Sequence, residues 1–308
     1  MFKKCSLFAS LLVLLSSALN TWAAESVKDQ PSSTPLLYVG LFNGQDVNVY
    51  KAGKDQPPLG ALVDGLVNIT GGIAVDQQQN VYIVTGGGSV VVYPRGGLVP
   101  GLRYWFQDQP QPPLTLGIAI DNAGTLYAPL WGDARVAVYP KGQTKQASLV
   151  IPTPAGTTAY AVAIDHQNNV YIEYGAPHYP EPGFIEKCPP GSAQCTDLGI
   201  TLSAPGYNLA VDSQNNIIAC DEAAAQIDIF PPGGTQPRVI SKGLQGCGYF
   251  ALDSTETKLF VANQAHAGGS AGVISVFDYA SGNLLTTISN GIPSDDHIIG
   301  VALSPAKQ

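Results

Sequence analysis

The chain has 308 residues, 12% charged and 45% hydrophobic, and its 15 basic against 23 acidic side chains leave a formal charge of −8. Phosphate backbones are bound through clusters of Lys and Arg; here the basic residues are few and scattered, which argues against nucleic acid as a partner. No segment stays apolar for the about 20 residues that a membrane helix needs, so no membrane span is expected.

The N-terminus reads Met1-Phe2-Lys3-Lys4, then an apolar run from Leu7 to Leu15, then Thr21-Trp22-Ala23-Ala24. Charged, apolar and small-residue parts in that order make a secretory signal of bacterial type, with the cut expected after Ala23. Cys5 precedes the apolar run instead of following it, so it is not a lipid-attachment cysteine. Cleavage removes two lysines and no acid, which moves the formal charge from −8 to −10. A secreted or periplasmic protein is expected, with residues 24–35 as a linker and 36–308 as one domain.

A short phrase of apolar, Ala, apolar, Asp or Ser then recurs six times: Ile73-Ala74-Val75-Asp76, Ile118-Ala119-Ile120-Asp121, Val162-Ala163-Ile164-Asp165, Leu209-Ala210-Val211-Asp212, Phe250-Ala251-Leu252-Asp253 and Val301-Ala302-Leu303-Ser304. The intervals of 45, 44, 47, 41 and 51 residues match a four-stranded propeller blade. Each phrase predicts the innermost strand of a blade, and its Ala suits the narrow end of a wedge around a central tunnel. The Asp that closes five of the phrases predicts an Asx-turn and a structural role. A second strand follows each turn, as in Asn80-Val81-Tyr82-Ile83-Val84 and Asn169-Val170-Tyr171-Ile172. A third ends in an aromatic and a turn, as in Val91-Val92-Tyr93-Pro94. The chain starts with strands two and three, Leu36–Val39 and Val47–Tyr50, and ends on the lone inner strand Val301–Leu303. Pairing the two ends completes a sixth blade and removes exposed sheet edges. The expected fold is therefore an all-β, six-bladed β-propeller, closed by its N- and C-terminal strands.

Four cysteines remain after signal cleavage, an even number in a secreted chain, which favours disulfides. Cys188 and Cys195 flank Pro189-Pro190-Gly191-Ser192, a hairpin turn, and are expected to link adjacent strands. Cys188 also stands where other third strands have Tyr or Phe, so its bridge would replace a missing ring. Cys220 and Cys247 are expected to bridge neighbouring blades.

The sequence Gly-Ile-Ala-Val-Asp, then Asn-Val-Tyr, then Val-Tyr-Pro-x-Gly resembles the NHL-repeat propellers, within the wider gluconolactonase and regucalcin-like group, over roughly residues 36 to 304. Lactonase-like members of that group hold a divalent metal with a Glu in a Glu-Gly-Pro phrase. No such phrase occurs here, so their ligand residues do not transfer. His166, His178, His266 and His297 lack metal-ligand spacing. Gly268-Gly269-Ser270-Ala271-Gly272 matches a hydrolase motif by letters, but that motif needs a strand-to-helix elbow and here it falls between two strands. The sequon Asn68-Ile69-Thr70 matters only in a glycosylating host.

In a four-stranded meander the second-to-third loops and the connections to the next blade share one face. That face gathers Trp131, Asp133, Tyr174, His178, Tyr179, Asp221, Glu222, Asn263, His266 and His297, with Tyr207 and Tyr249 beside them. Rings with amides and carboxylates suit recognition of a protein or glycan. The expectation is a non-catalytic, monomeric binding module with no cofactor. The alternative is a Ca²⁺-dependent lactonase-like hydrolase or lyase, with Asp221, Glu222, Asp295 and Asp296 supplying oxygen ligands.

Overall fold

A computed structural model describes residues 27–66, 69–86, 88–106, 114–178, 180–264 and 272–305. The signal segment, Asn68, Tyr179, His266 and residues 268–271 lie outside them. Six antiparallel sheets stand in sequence around one axis, so the chain is a six-bladed β-propeller. From inner to outer strand, blade 1 is Ile298–Ser304, Leu36–Leu41, Asp46–Lys51 and Gly60–Leu62. Blade 2 is Ile69–Val75, Val81–Thr85, Ser89–Tyr93 and Leu102–Trp105. In blade 3 the inner strand is broken into Leu114–Thr115 and Ala119–Ile120, followed by Leu126–Trp131, Arg135–Tyr139 and Leu149–Pro152. Blade 4 is Thr158–Ile164, Val170–Gly175, Gly183–Cys188 and Thr196–Leu202; blade 5 is Pro205–Val211, Ile217–Asp221, Gln226–Phe230 and Arg238–Ile240. Blade 6 is Phe250–Leu252, Lys258–Asn263, Val273–Asp278 and Leu284–Ile288. Among the described residues no helix is long and apolar enough to cross a membrane.

The recurring phrase sets how blades meet. Its two bulky residues face the preceding blade, and its Ala faces the following one. Ile118 and Ile120 pack with Tyr82 and Val84 of blade 2, whereas Ala119 packs with Val162 of blade 4. The Ala lies directly across from the second-strand aromatic: Ala74 pairs with Tyr82, Ala119 with Tyr127, Ala163 with Tyr171, Ala251 with Phe260 and Ala302 with Tyr38. The small side chain leaves room for the ring on that face. Burying such a ring contributes about 1.5–3 kcal/mol. Third-strand rings Tyr50, Tyr93, Tyr139, Phe230 and Phe277 point the opposite way and fill the seam with the preceding blade.

Each phrase Asp closes its turn by accepting amides. Asp165 accepts from the amides of Gln167 and Asn169, both at 2.9 Å, and Asp76, Asp121, Asp212 and Asp253 likewise take the amide four residues on. The third residue after each Asp adopts a left-handed conformation, at Gln79, Gly124, Asn168, Asn215 and Glu256. The turns therefore reach further than an Asx-turn alone. The second carboxylate oxygen of Asp76, Asp121 and Asp165 accepts from the phenol of Tyr82, Tyr127 and Tyr171 in its own blade.

Both expected disulfides form, Cys188–Cys195 and Cys220–Cys247. Cys188 is fully buried among Val136, Val138 and Val170, in the seat that a ring occupies in the other blades. The segment before the first strand is packed as well. Val27 is buried against blades 1 and 2, and the Arg95 guanidinium donates to the carbonyls of Gln30 and Pro31.

Leu36–Leu41 pairs antiparallel with Ile298–Ser304, so the two ends of the domain share blade 1. Removing residues 299–308 strips that inner strand and opens both neighbouring seams. We expect a loss of several of the about 5–15 kcal/mol that hold a domain, seen as a melting point lower by roughly 10 °C or more. An unchanged melting point would contradict the closure.

Candidate ligand-binding face

The inner strands lose regularity at one level, just before the phrase. Pairing shifts between Ile69 and Ile73, between Ala159 and Ala161 and between Pro205 and Leu209, and blade 3 breaks between Thr115 and Ala119. Such bulges re-aim side chains and free backbone groups from the sheet. Here the freed groups bond between blades: Gly72 donates to the Leu116 carbonyl, Gly117 to Tyr160 at 3.1 Å and Tyr207 to Gly248 at 3.1 Å. Glycine is required for this approach. A Cβ on Gly117 would stand 2.4 Å from the Tyr207 carbonyl, and one on Gly71 would stand 2.2 Å from that of Thr115. Backbone thus crowds the axis at the loop-rich face. A hollow of about 170 Å³ remains toward the opposite, turn face, between the phrases of blades 3, 4 and 5.

The re-aimed side chains build a cleft off the axis. Leu116, Tyr160 and Tyr207 hold equivalent positions, two residues before the first bulky residue of their phrases, and with Leu114, Trp131, Pro177 and Pro205 they line a cleft of about 300 Å³. Trp131 ends the second strand of blade 3 and is 36% exposed; Leu114, its cross-strand partner, is 37% exposed. The Tyr160 phenol donates to the Ala176 carbonyl at 2.7 Å. Burial raises its pKa, and a hydrogen bond with Trp131 partly opposes the rise. Tyr160, Tyr207 and Tyr249 continue as a row, with centroids 6.4 and 5.6 Å apart. The walls are mostly carbon, with ring faces and proline edges, and hold an apolar ligand surface by contact area.

The polar residues expected on this face are largely committed to the fold. Asp221 accepts from the amide and hydroxyl of Ser203, both at 2.8 Å or less, and from Ala204 and Ala224. Glu222 is buried beside the Cys220–Cys247 bridge. Asp296 caps Asn43 and Gly44 at 2.7 and 2.8 Å. Asp133 pairs with Arg135 within its own turn, and Asn263 holds the 243–245 loop by bonds to Gly243 and Gln245. Tyr174 is buried with its ring 5.7 Å from Phe184. His178 is exposed and His297 half-buried. Of the described residues expected on this face, Trp131 and Tyr207 line the cleft. Among the described residues the three-ligand groups are Glu186 with Cys188 and Cys195, and Glu222 with Cys220 and Cys247; their sulfurs are already bonded to each other. The four carboxylates considered as Ca²⁺ ligands do not form such a group.

Sequence reading passed over Leu114, Leu116, Tyr160, Pro177 and Pro205. The available signal was register: Tyr160 and Tyr207 stand at the same offset from Val162 and Leu209.

Three carboxyls of blades 4 and 5 have their pKa raised by burial. Glu173 is fully buried, with one oxygen accepting from Gly206 at 2.7 Å and the other unpartnered. Burial, reinforced by Asp221 and Glu222, raises its pKa well above the usual 4.5. Burial with Asp197 nearby lifts Glu186 to about 7, and burial with Asp221 nearby lifts Asp228 to about 6.

Comparison with known proteins identifies the architecture alone. No family model matches the chain, and no curated protein matches it. The 1317 solved chains that match include a protein of unknown function from Bacteroides caccae, solved at 1.35 Å. It has 10% identity and a TM-score of 0.61, and the match covers 88% of this chain and 99% of that one. Propellers host many unrelated activities, so the likeness assigns the fold and leaves function to the site.

The raised carboxyls bind their protons more tightly folded than unfolded, so their contribution is full below the unfolded pKa and is lost as pH rises through the folded one. We expect thermal stability to be higher near pH 5 than near pH 8, with Glu173→Gln flattening that dependence by mimicking the protonated side chain. A melting point that rises steadily from pH 5 to pH 8 would contradict the assignment.

Proposed function

We propose that the protein is a secreted or periplasmic, non-catalytic binding module of NHL-like propeller type that captures a ligand in the Trp131 cleft on its loop-rich face. The carrying observation is that this cleft is walled by the exposed Trp131 and Leu114, the half-buried Leu116 and Tyr207 and the buried ring of Tyr160, most of them set on the irregular inner strands, while the acidic side chains of the same face are engaged as caps. Of the two ligand classes that such a face suits, a protein fits better than a glycan. The walls offer carbon and few polar groups, and tryptophan with leucine makes a pocket for an apolar anchor side chain of the kind that dominates peptide recognition. The module works as a monomer and without a cofactor.

Selection from a displayed peptide library, run beside a glycan array, tests this. Peptides sharing an apolar or aromatic anchor should be recovered, and Trp131→Ala or Leu114→Ala should weaken capture by about tenfold or more with the melting point preserved. Asp121→Ala, in a turn on the other face, should lower the melting point and spare capture. Recovery of glycans alone shifts the ligand class. Lactone hydrolysis or lyase turnover that needs Ca²⁺ and disappears in Asp221→Ala would replace the proposal with the enzyme.

A further inference from the structure

We infer that the groove between blades 5 and 6 on the turn face is a second binding site, and that it takes a neutral oligosaccharide. The groove encloses about 680 Å³, within the range of small-ligand sites, and lies on the opposite face from Trp131. Its floor is pinned across the blades. Blade 5 has Ile218 where blades 2, 3 and 4 have a tyrosine, so Asp212 has no phenol of its own to accept. Tyr279 of blade 6 fills the vacancy, donating to Asp212 at 2.9 Å. That bond fixes the Tyr279 ring between the two blades as a rigid surface.

The Arg238 guanidinium lies over this ring, 5.2 Å from its centroid. Stacking holds the guanidinium by its face and leaves the N–H groups along its edge available. Among the described residues Arg238 makes neither an ion pair nor a hydrogen bond, and the side-chain amides of Gln214 and Gln236 on the groove walls are also without partners. Three polar groups with unused donors therefore converge on one concavity, between apolar edges supplied by Pro231, Pro237 and Ala280. Hydroxyl groups both donate and accept, so they match a wall that mixes a guanidinium with side-chain amides, while the C–H faces of sugar rings match proline and alanine.

Charge selects the neutral class. Asp212 and Glu256 line the groove and Asp278 acts on Arg238 from beside it, so a single cation faces three acids. An anionic sugar would meet net repulsion from these acids, whereas neutral hydroxyls can accept from the unused donors of Arg238, Gln214 and Gln236. Glu256 is already held against the Ser213 amide and hydroxyl at 2.7 and 2.6 Å, which orients the carboxylate and preserves the groove without a ligand.

The test is calorimetric titration of the full chain with tetrasaccharides built from glucose, mannose, xylose or N-acetylglucosamine, and with a tetragalacturonate as the acidic arm. At least one neutral sugar should bind with a Kd of about 1 mM or tighter. Arg238→Ala and Gln214→Ala should each weaken it about tenfold, and Gln214→Ala, which removes an exposed side chain with no hydrogen bond within the fold, should keep the parent melting point. Trp131→Ala should leave the sugar affinity unchanged. Failure of all four neutral sugars up to about 10 mM, binding confined to the acidic sugar, or binding that survives both groove variants or is lost in Trp131→Ala would overturn the inference.

Discussion

The seat that the phrase alanine makes for an aromatic ring, in five of the six blades, is the contact on which the rest of the molecule depends. In a ring of wedges every blade has a thick and a thin face, and one residue type must be small on the thin face in each repeat. Ala163, 4% exposed, lies across from Tyr171, and the same pairing recurs around the axis. Enlarging the alanine would overpack the seam, a change that typically costs about 1–3 kcal/mol. The tyrosine that fills the seat also bonds the aspartate ending the same phrase in blades 2, 3 and 4. One short phrase therefore specifies the seam, the ring and the turn below it.

That economy explains what could be read without coordinates. Six copies of one constraint stand out from any single sequence, so blade number, the order of strands and closure through Leu36–Leu41 and Ile298–Ser304 were all legible. So was the Cys188–Cys195 bridge, because Cys188 breaks a pattern that the other third strands keep. The candidate site was legible only in part. Trp131 was identified because the sequence places it in the connection between the second and third strands of its blade, on the loop-rich face. Tyr160 and Leu116 were missed because they lie inside apolar runs, and only a bulge, which has no residue signature of its own, turns them toward the cleft.

The acidic residues show the opposite error of inference. Asp221, Glu222 and Asp296 lie in or beside loops by sequence and so suggest free ligands on a rim. In the folded chain each is nearly buried, and Asp221 and Asp296 accept several amides apiece. Loops that leave an inner strand's level need their backbone donors satisfied, and a carboxylate from the next loop does this at short range. Acidic character on this face therefore serves mainly as internal scaffolding, which leaves the apolar cleft as the feature presented outward.

The most direct measurement of that claim uses Trp131 as its own reporter. With Trp22 and Trp105 replaced by phenylalanine, Trp131 is the sole tryptophan of the chain, and its emission can be followed while a selected peptide is titrated. A saturable blue shift with protection from acrylamide, at the concentrations where the peptide is captured, is the predicted result. Peptide capture that leaves both the emission and the acrylamide quenching of Trp131 unchanged would place the ligand elsewhere and contradict the account.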